Sequence, residues 1–428
     1  MNKVISFIIA VCCAFAISSC GSTDKMGDDI FKTPEPPEPD TTEKADAPVD
    51  TVDSEEEDEG EKEEKPEKTK KPTKKKQETV TLLEKTNGSI TENGDPEKYS
   101  ITLEESGMIT INLKASEIEE LKVQLLDDDG QNVLEETPSW NSSSKQLAYK
   151  KELELTSGTY EIVISEYYGG YGEFDISVDF VSAGESFPET QGGSNNNIAD
   201  SNEIETDQVY WGQIAYNDDS DNYIFELEEA GSIELNFKAQ KIEYSDISIY
   251  DMDGQDVWEK EVSWNSTSKQ ISYKEIINLT AGEYYFAVDK DSQRCGDYEF
   301  SLDFTSADES FVEEQNGSDN AFDDANEIKL NKEYTGQIAV NDDIDNYLFT
   351  LDSSKGFELN FSSKELEDVK VCIYDEDGQS VWEKSAGVNS SSKEIALKED
   401  VDLESGDYYL SITKYYNSCG SYEFKIKD

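Results

Sequence analysis

Short stretches of alternating apolar and polar residues follow one another through most of the chain. In residues 233–238, for example, Ile, Leu and Phe alternate with Glu, Asn and Lys. A two-residue period places one set of side chains on a core and the other in water, as in a half-buried β-strand. Clusters of Gly, Asn, Asp and Ser separate the stretches. The pattern predicts an all-β protein built from antiparallel β-sandwiches or jelly rolls, with seven or eight short strands in each.

The strand pattern occurs three times. Gly130, Gly254 and Gly378 lie 124 residues apart, and the Asn-Ser-x-Ser-Lys segments at 141–145, 265–269 and 389–393 keep the same spacing. This period is too long for a solenoid unit, so each copy is expected to be a whole domain. The predicted β-sandwich repeats cover residues 77–183, 195–307 and 319–428.

The first twenty residues have a different pattern. A basic start at Lys3 precedes an apolar run from Val4 to Ile17, which has the length of a signal-peptide core and is short for a membrane span. The run ends in Ile-Ser-Ser-Cys, which resembles the bacterial lipobox. This resemblance implies that residues 1–19 are removed, that Cys20 carries a diacylglycerol, and that the protein is lipid-anchored at the bacterial cell surface. The alternative is an ordinary secretory peptide cleaved nearby.

Residues 20–76 are predicted to form a disordered, charged tether. They contain seven of the ten prolines, and an acidic run at 55–64 is followed by a basic run at 68–76. Such a segment buries too little apolar surface to offset the entropy of ordering it. The tether would hold the folded part away from the lipid surface. The basic run could contact anionic polymers, but a simple solvated spacer is the preferred interpretation.

Composition excludes several classes of function. The formal net charge of −60 argues against nucleic-acid binding and favours cations as partners. The chain contains no histidine, which removes every His-dependent triad and metal site. Cys295, Cys372 and Cys419 cannot all pair within one chain, so free thiols are expected rather than a disulfide framework. The sequence therefore predicts that the protein is not an enzyme.

A set of motifs in the second and third copies resembles the bacterial pre-peptidase C-terminal domain; the first copy is degenerate at its start. In the third copy the motifs are Ala325 to Ile328, Gly336 to Ile338, Asp342 to Tyr347, Ile373 to Gly378, Gly406 to Tyr409 and Gly420 to Phe424. The resemblance implies a non-catalytic jelly-roll β-sandwich found on exported proteins, some of which bind collagen or calcium. No protease sequence accompanies the domains here, so a role tied to a protease does not carry over.

Two acidic segments are candidate Ca²⁺ sites. The first is a crowded loop, and the second is an Asp-x-Asp-Gly segment. The candidate ligands are Asp218, Asp219, Asp221, Asp342, Asp343 and Asp345 in the loop, and Asp251, Asp253, Asp375 and Asp377 in the segment. Crowded carboxylates repel one another, and a cation relieves that repulsion. The alternatives are a solvated acidic loop for the first and a hairpin turn, which is preferred, for the second.

Trp140 and Trp264 precede the Asn-Ser-x-Ser-Lys segments and are candidates for stacking on a sugar ring. The third copy has Val388 at this position, so packing in the core is the preferred interpretation.

The leading functional hypothesis is a cell-surface lipoprotein whose repeated modules bind an extracellular protein or glycan by avidity. The first alternative is a Ca²⁺-stabilised spacer with no specific ligand. A weaker alternative is a secreted hydrolase of unknown type that uses paired carboxylates.

Overall fold

The computed structural model describes residues 77–191, 193–290, 295–313 and 319–428. The predicted signal peptide, the Cys20 lipidation site and the tether lie outside the described residues. The described residues form twenty-six β-strands and two one-turn 3₁₀ helices, Ile198–Asp200 and Phe322–Asp324, with no α-helix among them. The all-β prediction is therefore confirmed. No helix in the described part of the chain has the length and apolar character needed to cross a bilayer.

Eight strands form the first pair of sheets, here called module 1. They are β1 Thr79–Ile90, β2 Glu97–Leu103, β3 Gly107–Ala115, β4 Leu121–Leu126, β5 Asn132–Glu136, β6 Leu147–Leu155, β7 Gly158–Glu166 and β8 Gly172–Ser182. One sheet has the order β1-β8-β3-β6 and the other β2-β7-β4-β5. All pairings in these two sheets are antiparallel.

Module 2 repeats this plan with one additional short strand. Its strands are β9 Asn202–Glu203, β10 Val209–Ile214, β11 Ser220–Leu227, β12 Gly231–Gln240, β13 Tyr244–Tyr250, β14 Asp256–Ser263, β15 Gln270–Leu279, β16 Gly282–Lys290 and β17 Gly296–Ser306. The sheets have the orders β10-β17-β12-β15 and β14-β13-β16-β11-β9. The two-residue strand β9 pairs with β11 in parallel.

Module 3 has the same arrangement as module 2. Its strands are β18 Asn326–Glu327, β19 Glu333–Ile338, β20 Ile344–Leu351, β21 Lys355–Ser363, β22 Asp368–Asp375, β23 Ser380–Gly387, β24 Ile395–Leu403, β25 Gly406–Lys414 and β26 Gly420–Lys427. The sheets have the orders β19-β26-β21-β24 and β18-β20-β25-β22-β23.

Each module encloses its own hydrophobic core between its two sheets. In β12 the predicted alternation is seen directly, since Ile233, Leu235 and Phe237 are fully buried while the residues between them are partly exposed. Burying such side chains contributes about 1.5–3 kcal/mol each, which is how so acidic a chain stays folded. The residue limits given above for the three domains stay predictions.

A conserved spacing of glycines in the repeats has a steric cause. A Cβ atom on Gly212 would lie 2.3 Å from the Tyr298 ring and hydroxyl, and one on Gly336 would lie 2.5 Å from the Tyr422 hydroxyl. Glycine therefore lets a buried tyrosine cross the edge strand. The hydroxyls of these tyrosines reach the sites described next.

Candidate metal centres at the module junctions

The segment that joins modules 1 and 2 is bonded to both. Phe187 stacks on Tyr210 in the core of module 2, with ring centroids 5.8 Å apart. Two residues further on, the Glu189 carbonyl accepts a hydrogen bond of 3.2 Å from the Ser157 amide of module 1. The Ser157 hydroxyl donates to the same carbonyl. The backbone of Glu189 is thus fixed against module 1, just before the chain enters module 2.

The acidic loop between β10 and β11 contacts module 1 as well. The Asn217 amide nitrogen donates to the Thr156 hydroxyl at 2.9 Å and to the Tyr160 hydroxyl at 3.0 Å. Its oxygen accepts from the Thr156 amide at 3.2 Å. The Tyr216 amide donates to the Glu154 carbonyl at 2.8 Å. These contacts place the carboxylates that follow Asn217 directly at the junction.

Glu189, Asp218 and Asp221 come together there as a buried triad. One carboxylate oxygen from each lies within 4.8 Å of the others. The side chains are nearly inaccessible, with exposures of 3%, 1% and 1%. Within the described part of the chain, both oxygens of Glu189, both of Asp218 and one of Asp221 have no hydrogen-bond partner. Buried polar atoms are almost always satisfied, so this group of oxygens needs an explanation.

Two side chains support the triad from outside. The Tyr298 hydroxyl donates to Asp221 Oδ2 at 2.5 Å and contacts the Tyr223 hydroxyl at 2.6 Å. The Lys290 ammonium group donates to the carbonyls of Ala215, Tyr216 and Asp218 at 3.0, 2.7 and 2.7 Å. All three lysine donors are used on this loop, so Lys290 fixes its backbone and supplies one positive charge beside it.

Burial and mutual repulsion raise the pKa values of these carboxyl groups. The pKa of Asp218 rises to about 8, first because burial removes water and then because Asp221 lies close. The same two causes raise the pKa of Glu189 to about 12. Glu185, four residues before Glu189, has its pKa raised to about 8 by burial and by Asp221. Three charges cannot persist in this space without protons or a cation to balance them.

The junction of modules 2 and 3 contains a second triad, formed by Glu313, Asp342 and Asp345. Asn341 repeats the contacts of Asn217, donating to the Thr280 hydroxyl at 2.9 Å and the Tyr284 hydroxyl at 3.0 Å. The equivalent supports are also present: Tyr422 donates to Asp345, and Lys414 donates to the carbonyls of Ala339, Val340 and Asp342. Burial is again the largest cause of the raised pKa values of Asp342 and Asp345.

The two centres differ at one position. The first has Asn195, whose side-chain oxygen is buried and unpartnered, where the second has Asp319. Asp319 Oδ2 accepts a hydrogen bond from Asn326 at 3.0 Å, while its Oδ1 is likewise buried and unpartnered. A carboxylate, that of Asp319, thus lies beside Glu313 of the second triad where the first centre has the amide of Asn195.

The described residues of module 1 contain no such triad. Gly94 and Glu97 stand where module 2 has Asp218 and Asp221, and Glu166 stands in place of the lysine. Phe174 replaces the tyrosine that would support the carboxylates. The substitutions affect carboxylate, lysine and tyrosine together, so these residues behave as one functional unit.

The donor set fits a hard divalent cation. Every available ligand is a carboxylate or amide oxygen, which suits Ca²⁺ or Mg²⁺ and not the softer transition metals. Mg²⁺ keeps several of its waters, whereas Ca²⁺ accepts six to eight oxygens in flexible geometry. A cluster of buried, unpartnered carboxylate oxygens matches Ca²⁺ better.

The structure separates the sequence-predicted ligands into two groups. Asp218, Asp221, Asp342 and Asp345 lie in the triads, whereas Asp219 is exposed and Asp343 is 87% exposed, 3.6 Å from Lys414. Sequence reasoning missed Glu189 and Glu313. The signal was present as Glu-Ser-Phe-x-Glu at residues 185–189 and again at 309–313.

The Asp-x-Asp-Gly segments form hairpin turns. Asp251 Oδ1 accepts hydrogen bonds from the Asp253 amide at 3.0 Å and the Gln255 amide at 2.8 Å, and Gly254 adopts φ +73°. Asp375 and Asp377 repeat the turn in module 3. These four aspartates belong to no group of three candidate ligands in the described ranges. The turn interpretation therefore accounts for their spacing.

The two tryptophans singled out as stacking candidates are half-buried. Trp264 packs against the core of module 2, and the Lys269 ammonium group lies 4.1 Å from its ring centroid. Trp140 is held by a backbone hydrogen bond of 2.6 Å to Glu119. One face of Trp264 is therefore already occupied.

Residues 229–295 match the family model described as a secretion system C-terminal sorting domain. This match indicates a secreted or surface-displayed protein. No curated protein matches the chain.

Solved structures with similarity include the pre-peptidase C-terminal domain of a collagenase from Bacillus anthracis, at 24% identity and a TM-score of 0.21, covering 24% of this chain and 94% of that domain. The exported protein XepA of PBSX is 11% identical with a TM-score of 0.17, covering 52% of this chain and 86% of that one. A triple jelly-roll turret protein of an archaeal virus is 10% identical with a TM-score of 0.18, covering 81% and 90%.

Proposed function

We propose that this chain is an exported, non-catalytic surface lipoprotein whose β-sandwich modules are joined by two Ca²⁺-binding junctions. The observation that carries the proposal is the pair of buried triads, Glu189 with Asp218 and Asp221, and Glu313 with Asp342 and Asp345. The lipid would be attached at Cys20, and the modules would project from the membrane on the acidic and basic tether.

An ion in either centre would connect two modules. Glu189 belongs to a segment whose backbone is bonded to Ser157 of module 1, whereas Asp218 and Asp221 belong to module 2. Coordination of all three carboxylates by one cation would restrain the angle between the modules. The same reasoning applies to Glu313, whose carbonyl accepts a hydrogen bond of 3.1 Å from Ala281 of module 2. Bound Ca²⁺ would thus reduce the freedom of neighbouring modules to reorient relative to each other.

The triads are poor candidates for hydrolysis. Their side chains are 1–3% exposed in the first centre, which leaves no opening for a polymeric substrate. Their raised pKa values come chiefly from burial and are relieved by a bound cation. A structural ion therefore accounts for the burial and the raised pKa values of these carboxylates, and no catalytic role is needed to explain them.

Thermal unfolding of the full chain in EDTA, in MgCl₂ and in CaCl₂ tests the metal proposal. We expect Ca²⁺ to raise Tm in proportion to the logarithm of its concentration, because it binds only the folded state. Glu189→Gln and Glu313→Gln should each weaken this response, whereas the matched exposed changes Asp219→Asn and Asp343→Asn should leave it intact. A Tm that is identical in EDTA and in millimolar Ca²⁺ contradicts the proposal.

The lipid anchor has a separate test. Metabolic labelling with a radioactive fatty acid in a bacterial host should label the wild-type chain and not the Cys20→Ser variant. Labelling that persists in Cys20→Ser would remove this part of the proposal and leave the metal centres unaffected.

A further inference from the structure

The outward face of one sheet of module 2 carries a tryptophan beside ordered rows of polar side chains. Trp211, on edge strand β10, lies opposite Glu299 of β17, and Lys238 of β12 lies opposite Glu299 on the other side. The neighbouring row contains Gln213 opposite Asp297. Strand pairing thus fixes an indole, a carboxylate and an ammonium group in one line across the sheet.

Trp211, Lys238, Glu299 and Asp297 of these rows line a groove of about 470 Å³. Its lining includes Gln77, Trp211, Gln240, Gln270, Asp297 and Glu299. Gln77 enters from the start of module 1, where its amide nitrogen donates to the Ala183 carbonyl at 3.4 Å. The volume falls in the range of small-ligand sites.

The chemistry of the lining suits a neutral polyhydroxylated ligand. The amides of Gln77, Gln240 and Gln270 each offer both donors and an acceptor. The Lys238 ammonium group and the Glu299 carboxylate neutralise each other at 2.7 Å. In a chain with a net charge of −60, the charged residues that line this groove, Lys238, Asp297 and Glu299, leave it only one net negative charge. A cationic peptide would find stronger attraction elsewhere on the surface.

The Trp211 indole is placed to act as a platform. It is half-buried, and no aromatic ring or ammonium group of the described residues covers it, in contrast to Trp264 with Lys269 at 4.1 Å. Its backbone is locked at the edge of the sheet by hydrogen bonds of 2.8 and 2.9 Å with Ser186. Apolar faces of sugar rings stack on such fixed indoles, while the ring hydroxyls bond to flanking amides and carboxylates.

The other modules lack the platform. Asn87 occupies the equivalent position in module 1 and Thr335 in module 3. Both are ordinary polar residues for an exposed edge strand, so folding of the sandwich does not require tryptophan at this position. The tryptophan is specific to module 2.

We propose that the groove over Trp211 is a binding site for a neutral polysaccharide, with one sugar ring stacked on the indole and with Gln240, Gln270 and Asp297 bonding its hydroxyls. None of the triad carboxylates lines this groove. It would give the display function of the proposed lipoprotein a ligand class, and it places that ligand in the second module only.

Native affinity electrophoresis of the full chain through gels containing hydroxyethylcellulose, xyloglucan, galactomannan, soluble starch or dextran tests the proposal. The neutral polymers leave the field unchanged, so retardation reports binding alone. We expect retardation by at least one polymer, and a Kd weakened at least tenfold in Trp211→Ala. The matched deletion Trp140→Ala, at a half-buried tryptophan of module 1 that does not line the groove, should bind as the wild type does.

A second variant guards against misfolding of Trp211→Ala. Gln240 and Gln270 are exposed, so Gln240→Ala with Gln270→Ala should keep the far-UV circular dichroism and Tm of the wild type while also weakening binding. Absence of retardation by all five polymers overturns the proposal, as does unchanged binding by both groove variants. Trp211-dependent binding of poly-L-lysine without polysaccharide binding would assign the groove to a cationic peptide instead. Running the gels in EDTA and in CaCl₂ distinguishes failure of this site from failure of the metal centres.

Discussion

Removing divalent cations should make the stability of this protein fall as pH rises from 5 to 7.5. The pKa of Asp218 is raised from its ordinary value to about 8 by burial and by Asp221. In this window the folded, metal-free state therefore holds a proton on Asp218 that the unfolded state has released. Stability that depends on such a retained proton is complete below the unfolded pKa and is lost as pH rises towards the folded one.

The size of the effect follows from the number of retained protons. One proton held by the folded state alone changes the free energy of unfolding by about 1.4 kcal/mol per pH unit. A single proton on Asp218 thus corresponds to a loss of about 3 kcal/mol between pH 5 and 7.5. Glu189, whose pKa is raised to about 12, adds to this loss in the same direction. For a domain of roughly 100 residues, a loss of about 3 kcal/mol lowers Tm by at least about 10 °C.

The assay is thermal unfolding in EDTA and in saturating CaCl₂ across this pH range. In CaCl₂ the carboxylates are ionised in both states, so the pH dependence should flatten. The many exposed carboxylates contribute equally to wild type and variant, and Glu189→Gln combined with Asp218→Asn isolates the contribution of the first centre. In EDTA, the Tm of this double variant should depend on pH much less than the Tm of the wild type does.

Two results would refute the reasoning. One is a metal-free Tm that stays constant or rises between pH 5 and 7.5. The other is a double variant that keeps the wild-type slope, because the slope would then come from surface charge. Either result would mean that water or structural rearrangement solvates the triad in the absence of metal.

Three further changes have defined outcomes. Asn217→Ala removes the acceptor of the Thr156 amide and one donor to the Tyr160 hydroxyl, which keeps its bond to the Thr156 carbonyl, and should lower the free energy of unfolding by about 1–3 kcal/mol in chemical denaturation. Gly212→Ala puts a Cβ against Tyr298 and should cost about 1–3 kcal/mol while weakening the Ca²⁺ response of the first centre in calorimetry. Lys290→Met removes the three hydrogen bonds that fix the loop carrying Asp218, so the gain in Tm from Ca²⁺ should fall below that of the wild type.

The strands could be predicted from the sequence because the alternation that marks each one lies within a short stretch of the chain. Alternation along β12 or β17 decides which side chains face the core, and no distant residue is needed to interpret it. The crowding of Asp218 and Asp221 is also local, and both aspartates do lie in a candidate centre. Asp219, between them, points to solvent because neighbouring residues of a turn or strand face opposite sides. Their positions along the chain alone could not show which of these aspartates belong to the triad and which one faces solvent.

Other parts of the sites depend on contacts between distant segments. Glu189 precedes Asp218 by almost thirty residues and reaches it only because Ser157 of module 1 holds its backbone. The groove over Trp211 is assembled across four strands, β10, β17, β12 and β15, whose order in the sheet is not their order in the chain. The order of residues along the chain does not show which side chains lie next to one another across the sheet. The repeated Glu-Ser-Phe-x-Glu segment was visible, but its meaning depends on knowing where the preceding module ends.

Comparison of the three copies within one chain separates what the fold requires from what the junction requires. Tyr99 of module 1 keeps the core tyrosine of Tyr223 and Tyr347, so the sandwich needs that residue with or without a metal centre. Glu166, in contrast, replaces the lysine that both triad-bearing modules share. In modules 2 and 3 that lysine fixes the loop carrying the carboxylates, and module 1 has no folded module before it to be joined in the described chain. The carboxylates, lysine and tyrosine are therefore present where two described modules meet and absent where they do not, which is the distribution expected of a device for joining modules and not of one for stabilising each sandwich.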